Sequence, residues 1–114
     1  MKGAAPMLNR DYLPDGKRLP MVASALYGAT KLAENSLHNG KMRDLNKFAT
    51  VIKEMINEVV ELMCYTKECR GVSDDTIDAL VELKPEFDND GNYVHYGQYF
   101  EALYDAIHDL ILEM

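Results

Sequence analysis

The hydrophobic positions between residues 43 and 69 alternate at spacings of three and four, the period of an α-helix with one apolar face. The positions on this seam are Leu45, Phe48, Ile52, Met55, Val59 and Leu62. The pattern predicts a long helix 2 from about Arg43 to Cys69, ended by Gly71. A helix of about 27 residues is roughly 40 Å long. One chain of 114 residues would have difficulty covering it, so the length favours a homodimer or a bound partner helix.

Helix 1 is predicted from about Met21 to His38. Pro20 suits its first turn, and Asn39-Gly40 is typical of a helix C-terminus. Small residues recur every four positions on this helix, at Ala25, Ala29 and Ala33. Small side chains let another helix backbone come close, so this row predicts a packing face.

The acidic C-terminal part of the chain contains signals for two further helices. Helix 3 is predicted from about Asp74 to Leu83, because Ser73 is a preferred N-cap and Pro85 prevents the helix from continuing. Helix 4 is predicted from about Gln98 to Glu113. Its inner face contains Phe100, Leu103, Ile107, Leu110 and Ile111.

Between helices 3 and 4, the strand-like residues 93–96 follow a turn at residues 89–92. They predict at most a short β-hairpin, and an irregular loop is the equal alternative. The expected fold class is therefore all-α: a four-helix bundle with one long central helix. Residues 1–20, with Pro6, Pro14 and Pro20, are expected to form an extended arm on their own domain or on a neighbouring subunit. Residues 21–114 are expected to form a single helical domain.

The chain has no pattern typical of membrane insertion or export. No apolar run reaches the roughly 18 residues needed to span a bilayer. Residues 1–21 lack the continuous apolar segment of a signal peptide. We therefore expect a cytoplasmic protein without membrane contact.

Charge is distributed unevenly along the chain. Residues 1–71 contain 11 Lys and Arg against 8 Asp and Glu, whereas residues 72–114 contain 1 against 11. Four of these acids, Glu101, Asp105, Asp109 and Glu113, stand four residues apart on helix 4 and form one acidic ladder. Like charges at that spacing destabilise a helix by about 0.2–0.5 kcal/mol per pair. No Lys or Arg follows Lys84 to offset them, which indicates a basic partner surface.

A cluster of aromatic residues lies next to the acidic ladder and includes Tyr93, Tyr96 and Tyr99. Tyrosine is amphipathic and enriched at interfaces, so these three residues are candidates for partner contact together with the ladder. The alternative is that they close the core where the loop meets helix 4.

Two acidic pairs are candidates for a metal site. Glu58 and Glu61 lie on helix 2, Asp75 and Asp78 lie on helix 3, and carboxylate pairs on two helices can hold Mg²⁺ against nucleotide phosphates. Residues 54–80 thereby partly resemble the MazG-like all-α nucleoside triphosphate pyrophosphohydrolases. The motif of that family is Glu-x-x-Glu followed downstream by Glu-x-x-Asp. In this chain Asp75 replaces the Glu of the second pair. The resemblance implies a Mg²⁺-dependent enzyme. On a helical wheel, however, Glu58 and Glu61 point away from the apolar seam, which predicts a solvated face.

Other metal sites have less support in the sequence. The loop at residues 88–92 is similar to part of a calcium-binding EF-hand, but its twelfth position is Gly97 instead of a bidentate Glu, so an ordinary turn is expected. The three histidines, His38, His95 and His108, have no zinc-binding spacing. We expect no cofactor, with Mg²⁺ required only under the hydrolase alternative.

Three functions remain open from the sequence. The first is a small acidic interaction module, that is, an inhibitor or adaptor. It would dock its C-terminal face on the basic surface of a partner, with a nucleic-acid-binding protein as the expected class. In one version of this hypothesis, the acidic side chains mimic the phosphates of a nucleic acid. The acidic composition argues against direct binding of nucleic acid. The second is the MazG-like pyrophosphohydrolase. The third is a structural coiled-coil-like homodimer in which the ladder supplies only solubility.

Overall fold

A computed structural model describes residues 18–65 and 71–114 of the chain. The predicted N-terminal arm lies outside these residues, except for its last three positions, and so do the last residues of predicted helix 2. Within the described ranges the elements are α1 (Arg18–His38), α2 (Met42–Tyr65), α3 (Asp74–Glu82), β1 (Glu86–Phe87), β2 (Tyr93–Val94) and α4 (Tyr99–Glu113). The all-α prediction is confirmed, with four helices in the described part of the chain and a single small hairpin between α3 and α4.

The connection from α1 to α2 is a Schellman motif at Gly40. Gly40 has φ of 70°, the left-handed conformation that glycine adopts without strain. The N–H of Lys41 donates to the carbonyl of Ser36 at 2.9 Å, and the N–H of Gly40 donates to the carbonyl of Leu37 at 3.2 Å. These bonds satisfy the last carbonyls of α1 and turn the chain directly into α2.

The apolar seam of α2 forms the centre of the core. Leu45, Ile52, Met55, Val59 and Leu62 are all at most 3% exposed, and Phe48 is partly buried. The helix packs against α1, α3 and β2. Because one chain covers the seam, the length of α2 no longer favours a dimer, and the homodimer itself stays a prediction.

The packing face of α1 differs in part from the predicted row of small residues. Ala29 and Ala33 are buried, as predicted, but Ala25 is exposed. The apolar positions of this helix also predict one stripe through Val22, Leu26, Ala29, Leu32 and Leu37, but Leu32 is 48% exposed. The other four members of that stripe are buried or partly buried, so the predicted face is confirmed except at Leu32.

The hairpin is antiparallel, with Glu86 opposite Val94 and Phe87 opposite Tyr93. In its turn, one carboxylate oxygen of Asp88 accepts the N–H groups of Asp90 and Asn92, both at 2.9 Å. This is the ordinary Asx turn that the sequence predicts. None of the helices within residues 18–65 and 71–114 is long and apolar enough to cross a bilayer.

Candidate partner-binding surface

Helix α4 runs antiparallel to α3, and side chains of α4 form hydrogen bonds with residues at both ends of α3. At the start of α3, the Glu113 carboxylate accepts the N–H of Ser73 and the hydroxyl of Thr76, both at 2.8 Å. At its end, the Tyr99 hydroxyl donates to the carbonyl of Leu83, the C-cap residue. A helix of nine residues is too short to be stable alone, so these contacts and the apolar packing between the helices hold it in place.

Glu113 is therefore a structural residue at the end of the ladder. The N–H of Ser73 and the hydroxyl of Thr76 bond to its carboxylate and lower the pKa of that group, the backbone bond being the larger cause. The positive N-terminal end of the α3 dipole also compensates the negative charge of the Glu113 carboxylate. We leave Glu113 out of the proposed partner contacts for that reason.

Replacing Glu113 with glutamine should lower the melting temperature at neutral pH, because the amide accepts these bonds more weakly than the carboxylate. A lowered pKa stabilises the folded state above the ordinary pKa of glutamate, and this contribution is lost as the pH falls through the lowered value. Thermal unfolding of the wild type and Glu113→Gln should therefore converge at acidic pH. Glu54→Gln, at an exposed position in the middle of α2, is the control and should show no such convergence. A Glu113→Gln deficit that persists unchanged at low pH would contradict the assignment.

The other three residues of the acidic ladder are exposed: Glu101, Asp105 and Asp109. Asp105 and Asp109 line an open groove of about 460 Å³ between α3 and α4, and Glu82 of α3 lines it as well. The remaining lining residues are Tyr96 and the small or apolar Ala79, Leu83, Ala102 and Ala106. We call this feature the acidic groove. Among the described residues, three carboxylates and no basic side chain line it, so it is electrostatically suited to a cation.

The tyrosine cluster divides into buried and exposed members. Tyr93 is 6% exposed and Tyr99 is 1% exposed, and burial raises the pKa of both phenols. Their rings contact each other, with centroids 5.8 Å apart, and both contact Phe100. Tyr96 is 50% exposed. Tyr93 and Tyr99 thus belong to the core, as in the alternative prediction, and Tyr96 alone of the three is exposed.

The structure corrects the helical-wheel prediction for Glu58. This carboxylate is only 5% exposed, whereas Glu61 is partly buried. Glu58 lies about 40° around the helix from Leu62, at the edge of the buried arc. Helices α1 and α3 both pack against α2.

The two acidic pairs do not form a recognisable metal centre. Asp75 and Asp78 are exposed on α3, in contrast to Glu58. Nowhere in residues 18–65 and 71–114 do three or more His, Cys, Asp or Glu side chains come together in a way that could hold a metal ion. The hydrolase alternative stays a prediction, and an assay of pyrophosphate release from a panel of dNTPs with Mg²⁺ or Mn²⁺ tests it.

Comparison with protein families, with curated proteins and with solved structures finds no match to this chain.

Glu82 is the groove residue that the sequence prediction missed. It follows Asp75 and Asp78 at spacings of three and four, so the three acids share one face of α3. Exposure of all three in the structure agrees with that spacing. The periodicity is thus sufficient to find the acidic face of α3. That Glu82 lines the same groove as residues of α4 depends on how the two helices pack.

Proposed function

We propose that this protein is a small acidic interaction module that docks its α3–α4 face on a basic partner surface. The observation that carries the proposal is the acidic groove, in which Glu82, Asp105 and Asp109 from two helices converge. No Lys or Arg follows Lys84 in the sequence, so α4 itself carries no lysine or arginine side chain to pair with these acids.

The chemistry of the groove favours a guanidinium or ammonium group. Carboxylates accept charge-assisted hydrogen bonds from both cations, and arginine can bond two oxygens at once. The half-exposed Tyr96 ring at the groove offers a surface for cation–π contact. Spaced carboxylates of this kind also resemble the phosphates of a nucleic acid, so a nucleic-acid-binding protein is a suitable partner class.

The test uses a triple variant, Glu82→Gln with Asp105→Asn and Asp109→Asn. Its control removes three exposed carboxylates elsewhere, at Asp44, Glu54 and Asp90, by the same kind of substitution. Both variants change the net charge equally, so a difference between them reports the position of the charge and not its amount. Each chain is immobilised and used to capture partners from host lysate at low and high salt, and the affinity for the purified partner is then measured.

We expect the groove variant to lose about tenfold to hundredfold in affinity at low salt, since three ion pairs contribute about 1–3 kcal/mol in total. The control should bind like the wild type. Wild-type binding should weaken steeply with salt. Because Asp105 and Asp109 repel each other, the free groove variant should be slightly more stable than the wild type, by roughly 0.5 kcal/mol.

Equal loss of affinity in the two variants would show that only net charge matters. Unchanged binding by the groove variant would place the contact elsewhere on the chain. For a captured nucleic-acid-binding protein, competition by a DNA duplex distinguishes mimicry from binding at a separate site.

A further inference from the structure

We draw no further inference here: the strongest candidate, the groove of about 430 Å³ between α1 and α4 that Lys31, Glu34 and Asp105 line, contains both signs of charge, and nothing in the described part of the chain shows what covers it.

Discussion

Replacing Tyr99 with alanine should lower the free energy of unfolding by about 3–5 kcal/mol. The side chain is 1% exposed, and its ring lies 5.3–5.8 Å, centroid to centroid, from those of Tyr93, Tyr96 and Phe100. Alanine leaves a cavity where the hairpin meets α4 and removes the hydroxyl that bonds the Leu83 carbonyl. Chemical denaturation followed by circular dichroism measures the loss.

Two further variants separate the contributions of Tyr99. Tyr99→Phe removes only the hydroxyl and should cost about 1 kcal/mol. Tyr96→Ala truncates a half-exposed neighbour and should also cost about 1 kcal/mol, the value of one aromatic contact. If Tyr99→Ala were as mild as Tyr96→Ala, Tyr99 would not be a core residue, and its place in a partner contact would have to be reconsidered.

Replacing Ala33 with leucine should destabilise the fold by about 1–3 kcal/mol. Ala33 is fully buried on α1, a helix that packs against α2 and α4. A larger side chain there must push a helix away or adopt a strained rotamer. Thermal or urea unfolding measures the effect.

Ala25→Leu is the matched control for this substitution. Ala25 lies two turns earlier in α1 and is exposed, so the same change in side chain and helix propensity meets no neighbouring helix. The expected change in stability is within about 0.5 kcal/mol of zero. Equal effects at the two positions would show that α1 does not pack closely through Ala33.

Local signals were sufficient to predict the helices. The three-and-four spacing from Leu45 to Leu62 indicated α2, Ser73 indicated the first turn of α3, and Asn39-Gly40 indicated the end of α1. Each of these signals involves residues within a few positions of one another. Such signals can be recognised without knowing the fold, although the helices themselves are stabilised by packing of their apolar faces.

The candidate site was less predictable because its decisive contacts are distant in sequence. Glu113 bonds Ser73 and Thr76, which lie 40 and 37 residues earlier, and nothing in the four-residue spacing of the ladder distinguishes it from Asp109. Glu58 is buried although its position on the helical wheel predicts a solvated face. Tertiary packing thus determines which acidic residues of a periodic pattern form structural contacts and which remain exposed to solvent.

The contacts that hold both ends of α3 also affect what binding would require. Glu113 and Tyr99 bond opposite ends of α3, so the two walls of the acidic groove cannot separate unless at least one of these contacts breaks. A partner would therefore meet carboxylates on a preorganised scaffold and would have little backbone entropy to remove on binding. Loss of either contact should therefore reduce affinity for a basic partner, because the groove is then less preorganised.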